Sequence, residues 1–483
     1  MIDLSNGRRK RRKFRCLARR VLQWQVMSMP SQAGIGDLIP LMYRARWASF
    51  SLSGEVRAHG TEAGSGRWEE RGILEVAPDG RYRAEVTDQD GDRDLLVGDD
   101  AGGPVPFPEL MFPRLLLSEF DFQITGQSEF VGREAIAIAG SPRLVSLLRD
   151  ERVTGLVDAE LGILLRCRRD SRRQTEVAEF TALSVRGPVS EPEMLLTDSE
   201  PGRRSSQDAP AFNDAEVNLL CRSGLPPQRF SATMIELADT ATMIRLARES
   251  FADTNFGDRT QWLWRPSDDD VLENSDRSAR LAAAMPGCYL IEAVADPGRK
   301  PSRISCGGRR LWRAYPDRVA VRAAKPPPRP LAAILDPAWL LHESYRASAA
   351  GEAVVDDRPA LRVVAAGDAL PSHSGPLSGA PVVADQVEAC IDRELGICLR
   401  QVWSLRGHPV VRTELTGVST DIDQVTFGFE PPPGMKVITG GLLAETGQSP
   451  ATIAWHVTKG AAGLAFEIGR RWLTRHDVAE PGG

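Results

Sequence analysis

No stretch of 18 apolar residues occurs anywhere in this chain of 483, so no segment reads as a membrane-spanning helix. The seven cysteines, Cys16, Cys167, Cys221, Cys288, Cys306, Cys390 and Cys398, are odd in number and include no C-x-x-C pair. That argues against a zinc site or a disulfide framework and suits small buried thiols in a reducing compartment. Histidine is scarce, and none of the six stands at H-E-x-x-H or another metal-binding spacing. There is no G-x-S-x-G elbow and no G-x-x-x-x-G-K-[ST] phosphate loop. Gly34-Ile35-Gly36 opens a G-x-G-x-x-G motif but lacks its third glycine. With no nucleophile paired to a base, an enzyme is not expected, nor a metal or cofactor.

Charge is equally uninformative. Basic residues are almost all arginine, and a net charge of −5 on this length predicts no particular partner. Asp88, Asp90, Asp92 and Asp94 alternate as calcium ligands can, but the sixth position of an EF-hand loop would be Arg93 rather than glycine. The bland reading, a solvated hairpin tip, fits better.

What the chain does have is an echo. Asp158–Arg166 reads DAELGILLR and Asp392–Arg400 reads DRELGICLR, 234 residues apart. Four further pairs keep the same order. Gly80–Val86 matches Gly287–Ala293, Pro113–Glu119 matches Pro337–Glu343, Arg133 matches Arg358, and Glu179–Ser184 matches Glu414–Ser419. Their offsets rise steadily from 207 to 235. Insertions into a duplicated unit produce such a drift, and the period is far longer than a solenoid repeat of about 20–50 residues. The sequence therefore predicts a tandem domain duplication.

Each nonapeptide reads as a hairpin. Gly162 and Gly396 supply the positive φ of the turn, and Asp158 and Asp392 accept hydrogen bonds from turn amides, so these four residues set register. Alternation puts Ile163, Leu165 and Cys167 on one face, with Leu164, Arg166 and Arg168 on the other. Many other short β-prone runs, such as ASFSLSGEV, FDFQITG, EAIAIAG and ALRVVAAG, are bounded by Gly, Pro or Asp, which predicts antiparallel sheets or barrels.

Helices are fewer. One is expected near Gly36, one over Ser231–Asp253, and an amphipathic one over Pro450–Leu473, docked on the second unit or, in the sharper reading, lying on a membrane surface. Trp262, Trp264, Tyr289, Trp312, Trp339 and Trp403 crowd the second half, as packed core or as a cavity wall.

The expected organisation is a basic, disordered arm over 1–36, a first unit over 37–186, a flexible linker over 187–230, a second unit over 231–440, and a helix with tail over 441–483. Arg8–Arg20 contains a twin-arginine-like Arg11-Arg12-Lys13-Phe14, but Arg19, Arg20, Gln23 and Gln25 break the apolar stretch that an export signal needs. The arm is read as solvated, or as drawn to an anionic membrane surface. Nucleic acid is not expected. The expected location is the cytoplasm or the inner membrane face, with export as the alternative.

The run of a short helix, a strand, PDGRYRAE, a hairpin, GGRRLWRAYPDR, DDRPALRVVA and IDRELGICLR resembles the LolA/LolB-type lipoprotein carriers and the related RseB/MucB-type sensors. The resemblance covers about Leu38–Val185 and Thr233–Lys436. It implies an α+β, β-dominated fold of two tandem half-open antiparallel β-barrels, each lidded by short helices. It also implies a non-enzymatic apolar cavity that shields a lipid, an acylated protein or another hydrophobic ligand. The cavity wall is expected at Phe50, Leu52, Tyr82, Leu165, Trp262, Trp264, Tyr289, Trp312 and Leu399. The chain departs from the family in lacking a convincing signal peptide and a lipobox cysteine. The alternative is a regulatory module that docks a protein partner and takes no small ligand.

Overall fold

In the computed structural model, the described residues lie between 34 and 439, with breaks of which the longest are 187–210 and 252–274. Residues 1–33 of the expected basic arm, the C-terminal helix, Phe50, Trp262 and Trp264 fall outside the described residues, whereas Ile35 and Gly36, expected to close the disordered arm, already open a helix.

Two open sheets carry the fold. The first comprises β1 (Ser51–Glu62), β2 (Gly66–Val76), β3 (Tyr82–Thr87), β4 (Arg93–Gly98), β5 (Phe120–Phe130), β6 (Arg133–Pro142), β7 (Arg152–Asp158), β8 (Leu164–Asp170) and β9 (Gln174–Arg186). Its order is β4-β3-β2-β1-β9-β8-β7-β6-β5.

The second begins with β10 (Arg229–Ala238), β11 (Ser275–Ala284), β12 (Cys288–Ala293), β13 (Arg303–Gly307), β14 (Arg310–Ala314) and β15 (Arg318–Ala323). It continues with β16 (Ser348–Val355), β17 (Arg358–Ala366), a short β18–β19 pair (His373–Ser374 and Pro381–Val382) outside the sheet, β20 (Gln386–Asp392), β21 (Cys398–Leu405), β22 (His408–Ser419) and β23 (Lys436–Thr439). Its order is β16-β17-β20-β21-β22-β10-β11-β12-β13-β14-β15-β23. Read from β13 to β16, this is the order of the first sheet strand for strand. Beyond β13 it adds two antiparallel strands and then β23, which pairs parallel with β15.

Short helices join the sheets: α1 (Ile35–Arg44), α2 (Pro113–Glu119), α3 (Asp214–Cys221), α4 (Thr240–Phe251), α5 (Arg329–Leu335) and a 3-10 turn, η1 (Pro337–Leu341). Like packs on like: α1, ahead of the first sheet, touches α3, ahead of the second, and α2 touches η1. Leu38, Ile39 and Met42 of α1 are buried, worth roughly 5–9 kcal/mol together as an upper bound. Pro40 sits inside α1 and has no N–H to offer the Gly36 carbonyl one turn back. The Asn218 amide of α3 fills that vacancy at 2.7 Å. One core runs through α1, α2, α3, η1 and both sheets, and a second lies under α5 against β10–β13. The described residues from Ile35 to Thr439 form one compact unit.

Two expectations need correction. Ser231–Asp253 is not one helix. Phe230, Ala232 and Met234 are buried in alternation within β10, which pairs with both β11 and β22, and only Thr240–Phe251 is helical. The spacing of Met234, Leu237 and Ala241 fits a helix, but two neighbouring ladders satisfy the backbone instead. The expected linker ends early as well. Asn213 caps α3 in a reciprocal capping box with Glu216, which starts a helix inside 187–230.

Candidate functional site

The repeated nonapeptide forms the same tertiary joint twice. Asp158, 1% exposed, accepts the amides of Glu160 at 3.0 Å and Leu161 at 2.9 Å. Asp392, equally buried, accepts those of Glu394 at 2.8 Å and Leu395 at 2.7 Å. Arg133 opens β6 and grips Asp158 through Nε and, at 3.2 Å, through Nη2; Arg358 opens β17 and grips Asp392 in the same way. Both guanidiniums also reach the next acid, Glu160 at 2.9 Å and Glu394 at 2.8 Å. These hydrogen bonds raise both arginines above their ordinary pKa, Asp158 and Asp392 being the larger causes.

The glycines have a second task. Gly162 has φ +73°, and a Cβ there would lie 2.4 Å from the Leu41 carbonyl oxygen of α1. Gly396 has φ +60°, and its Cβ would lie 2.7 Å from Leu225, just beyond α3. Arg222, at the C-cap of α3, donates to the Leu395 carbonyl at 3.1 Å. Each hairpin thus seats the helix that precedes its own sheet. Sequence spacing offered no sign of that contact.

Alternation past the turn fails, because Ile163, Leu164 and Leu165 are all buried. The register slips between Leu156 and Val157, which face Arg166 and Leu164, leaving Leu165 as an extra residue. The same bulge recurs at Cys390 and Ile391, leaving Leu399. A bulge turns consecutive side chains to one side, so strict period-two reading breaks here.

Of the expected wall residues, Leu52, Tyr82, Leu165, Tyr289 and Leu399 are each at most 2% exposed and packed into the two cores. Lid-helix side chains share those cores. Trp339 and Trp403 stack on each other with ring centroids 5.8 Å apart, and Trp339 Nε1 donates to the Ala333 carbonyl at 3.1 Å. Trp312, half-buried, lies against Phe429.

A cavity of about 180 Å³ lies instead on the first sheet, where β1, β2, β8 and β9 meet the loop residue Phe107. Ala58, Trp68, Phe107, Cys167, Val177 and Ala178 supply apolar wall, and Glu70, Arg169 and Glu176 supply charge. Trp68 can lie there because Gly60 has no side chain; a Cβ would meet its ring at 2.8 Å. Phe107 lies over Gly72 for the same reason. Burial raises the Glu70 carboxyl above the usual range, and the Asp88 carboxylate raises it further. Arg169 is held by Glu151 at 2.8 Å. Cys167 sits two residues beyond Leu165 on the same strand, β8.

The acidic run near Asp88 is a turn. Asp88 accepts the amides of Asp90 and Asp92, both at 2.9 Å, between β3 and β4. Among the described residues no group of three or more His, Cys, Asp or Glu is placed to hold a metal ion.

A buried ion pair ties the halves. Arg143, just past β6, donates to Asp336 at 3.2 Å and to the Leu117 carbonyl at 2.7 Å. Both partners are under 10% exposed. The Asp336 carboxylate beside it holds the Arg143 guanidinium above its ordinary pKa, against the opposing pull of burial.

No family model matches the chain, and no curated protein matches it. Solved structures do show a likeness. A crystal structure of MucB matches 55% of this chain and 81% of its own, at 16% identity and a TM-score of 0.26. The Pseudomonas aeruginosa MucA/MucB complex matches 76% of this chain and 98% of its own, at 12% identity and 0.24. The Mycobacterium tuberculosis lipoprotein LppX matches 31% and 95%, at 16% identity and 0.22. The chain is similar to these structures at TM-scores well below 0.5, and no family membership follows from that likeness.

Proposed function

We propose that this chain is a non-catalytic binding protein whose first sheet takes the apolar end of a small amphipathic molecule, while Glu70, Arg169 and Glu176 meet its polar end. The cavity bounded by Trp68, Phe107 and Cys167 carries this reading. Its size sets the scale. A cavity of about 150 Å³ accepts benzene, so 180 Å³ holds about six carbons. At about 0.8 kcal/mol per buried methylene, six carbons contribute about 5 kcal/mol, a sub-millimolar dissociation constant. The cavity would cover only part of a full acyl chain. The ligand is therefore hydrophobic but is not a wholly shielded acyl chain.

We further propose that the two sheets descend from one duplicated unit. Support comes from the matched strand order, the two Arg–Asp–Glu joints, the twin bulges, and the packing of each lid helix on its counterpart. Such like-on-like contact is how an isologous dimer interface is built.

Titration of the full chain with n-alkanols, read by tryptophan fluorescence, tests the cavity. Affinity is expected to rise about fourfold per methylene and to level off near six carbons. Cys167→Phe or Ala178→Leu is expected to abolish the rise. A climb continuing past ten carbons, or no saturable binding, sinks the proposal.

A further inference from the structure

Strand register builds the floor of the first-sheet cavity. Glu70 of β2 faces Ala58 of β1, Ala58 faces Ala178 of β9, and Ala178 faces Cys167 of β8. Two residues along, Trp68 faces Gly60, Gly60 faces Glu176, and Glu176 faces Arg169. Residues directly opposite one another point to the same side of a sheet. That side is the inner one, because Ala58 and Gly60 continue the buried alternation of Leu52 and Val56 in β1. Having almost no side chain, Ala58 and Gly60 leave a trough. Glu70 and Trp68 stand along one bank of it, and Glu176 and Arg169 along the other.

Two neighbouring acids of β2 differ in what they meet. Glu69, on the outer side, accepts from Arg57 at 3.2 Å and from Arg71 at 2.9 Å, and these guanidiniums hold its carboxyl below the usual range. Glu70 is half-buried on the inner side, and among the described residues no cation and no hydrogen-bond donor is paired with it. The charge that acts on it is another carboxylate, Asp88. Arg169 does not serve as its counter-ion. That guanidinium donates to Glu151 at 3.2 Å through Nε and at 2.8 Å through Nη2, and it stands opposite Glu176 in the ladder. The unmet charge in the trough is therefore negative. It lies among aromatic rings: Trp68 is two residues before Glu70, and Phe107 lies over Gly72, two residues after it, on the same inner side. Aromatic faces attract cations and repel anions.

We propose that the polar end taken by this cavity is an organic cation, an alkylammonium whose nitrogen pairs with the Glu70 carboxylate against the Trp68 and Phe107 rings. The proposal rests on the reading of the cavity as a ligand site and adds the sign of the ligand's charge. An alkyl carboxylate would meet two acids and an arginine already paired with Glu151. An alcohol would leave Glu70 half-buried without a counter-ion.

Three six-carbon probes separate these cases: n-hexylammonium, n-hexanol and hexanoate. Each is titrated calorimetrically into the full chain at neutral pH and about 0.15 M salt, where exposed charges are screened beyond about 8 Å. n-Hexylammonium is expected to bind about tenfold more tightly than hexanol, and hexanoate more weakly than either. Glu70→Gln, which keeps the shape of the side chain, is expected to bring hexylammonium down to the affinity of hexanol. Glu69→Gln, the same loss of charge on the outer side, is expected to leave hexylammonium affinity within about twofold. Hexanoate binding as tightly as hexylammonium overturns the proposal. So does saturable binding of all three probes alike, an outcome that leaves the cavity reading standing. Equal losses in Glu69→Gln and Glu70→Gln also overturn it, because the preference would then follow the chain's net charge of −5. Saturable binding of none of the three removes the cavity reading itself and this proposal with it.

Discussion

Replacing Asp392 with alanine tests whether the repeated turn is held by its carboxylate. The change removes the oxygen that accepts two turn amides, and the bidentate partner of Arg358, from a site only 1% exposed. Breaking a buried ion pair by removing one partner costs about 3–5 kcal/mol. Arg358 retains 20% side-chain exposure and a second acid, Glu394, so water and that acid recover part of the loss. The lower end, about 3 kcal/mol, is expected. Asp392→Asn keeps one oxygen for the turn amides and loses the charge-assisted bonds, for about half that cost. In urea unfolding followed by circular dichroism, Asp392→Ala moves the midpoint down by roughly 1 M at a slope of about 3 kcal/mol/M. Asp158→Ala, in the same environment, moves it equally. One core crosses both sheets, so both variants shift a single transition. Losses below about 1 kcal/mol, equal losses for alanine and asparagine, or two separate transitions of which each variant moves one would refute this account.

The turn glycines separate backbone strain from collision. Gly162→Ala meets a backbone oxygen at 2.4 Å and is expected to cost about 3 kcal/mol, whereas Gly396→Ala meets a movable leucine methyl at 2.7 Å and stays near the 1–2 kcal/mol of the left-handed backbone alone; thermal melts compare them. Burial pushes the Cys398 thiol up to about 12 and the Cys221 thiol up to about 11, from an ordinary 9.0. The folded chain then keeps protons that the unfolded chain releases, so their stabilisation is full below pH 9 and is lost as pH rises toward 12. Denaturation midpoints across that range report it, and both thiols should resist iodoacetamide at pH 8 in the folded chain. Arg143→Ala leaves Asp336 buried without its charge partner and should cost 3–5 kcal/mol by urea unfolding, whereas replacing both with apolar residues should recover most of the loss.

The sequence by itself determined the local chemistry and its repetition. The run D-x-E-L-G closes the same turn at both places, Gly162 N–H donating to the Asp158 carbonyl and Gly396 N–H to that of Asp392, so DAELG and DRELG were legible as hairpins. The ordered echoes anticipated two sheets of one strand order, and the aspartate-rich tip behaves as its composition suggested. Tertiary structure decided whatever depends on a distant neighbour. The Ser231–Ala238 stretch is a strand because β11 and β22 flank it, a fact absent from its own spacing. Leu164 turns inward because a bulge facing β7 shifts its register. The partners of Asp158 and Asp392 lie 25 and 34 residues upstream. Alternation along a strand tells which face is apolar, but only packing tells whether a helix fills it. Leu52, Tyr82 and Leu399 pack into the cores, and among the described residues a cavity opens at Trp68 and Phe107.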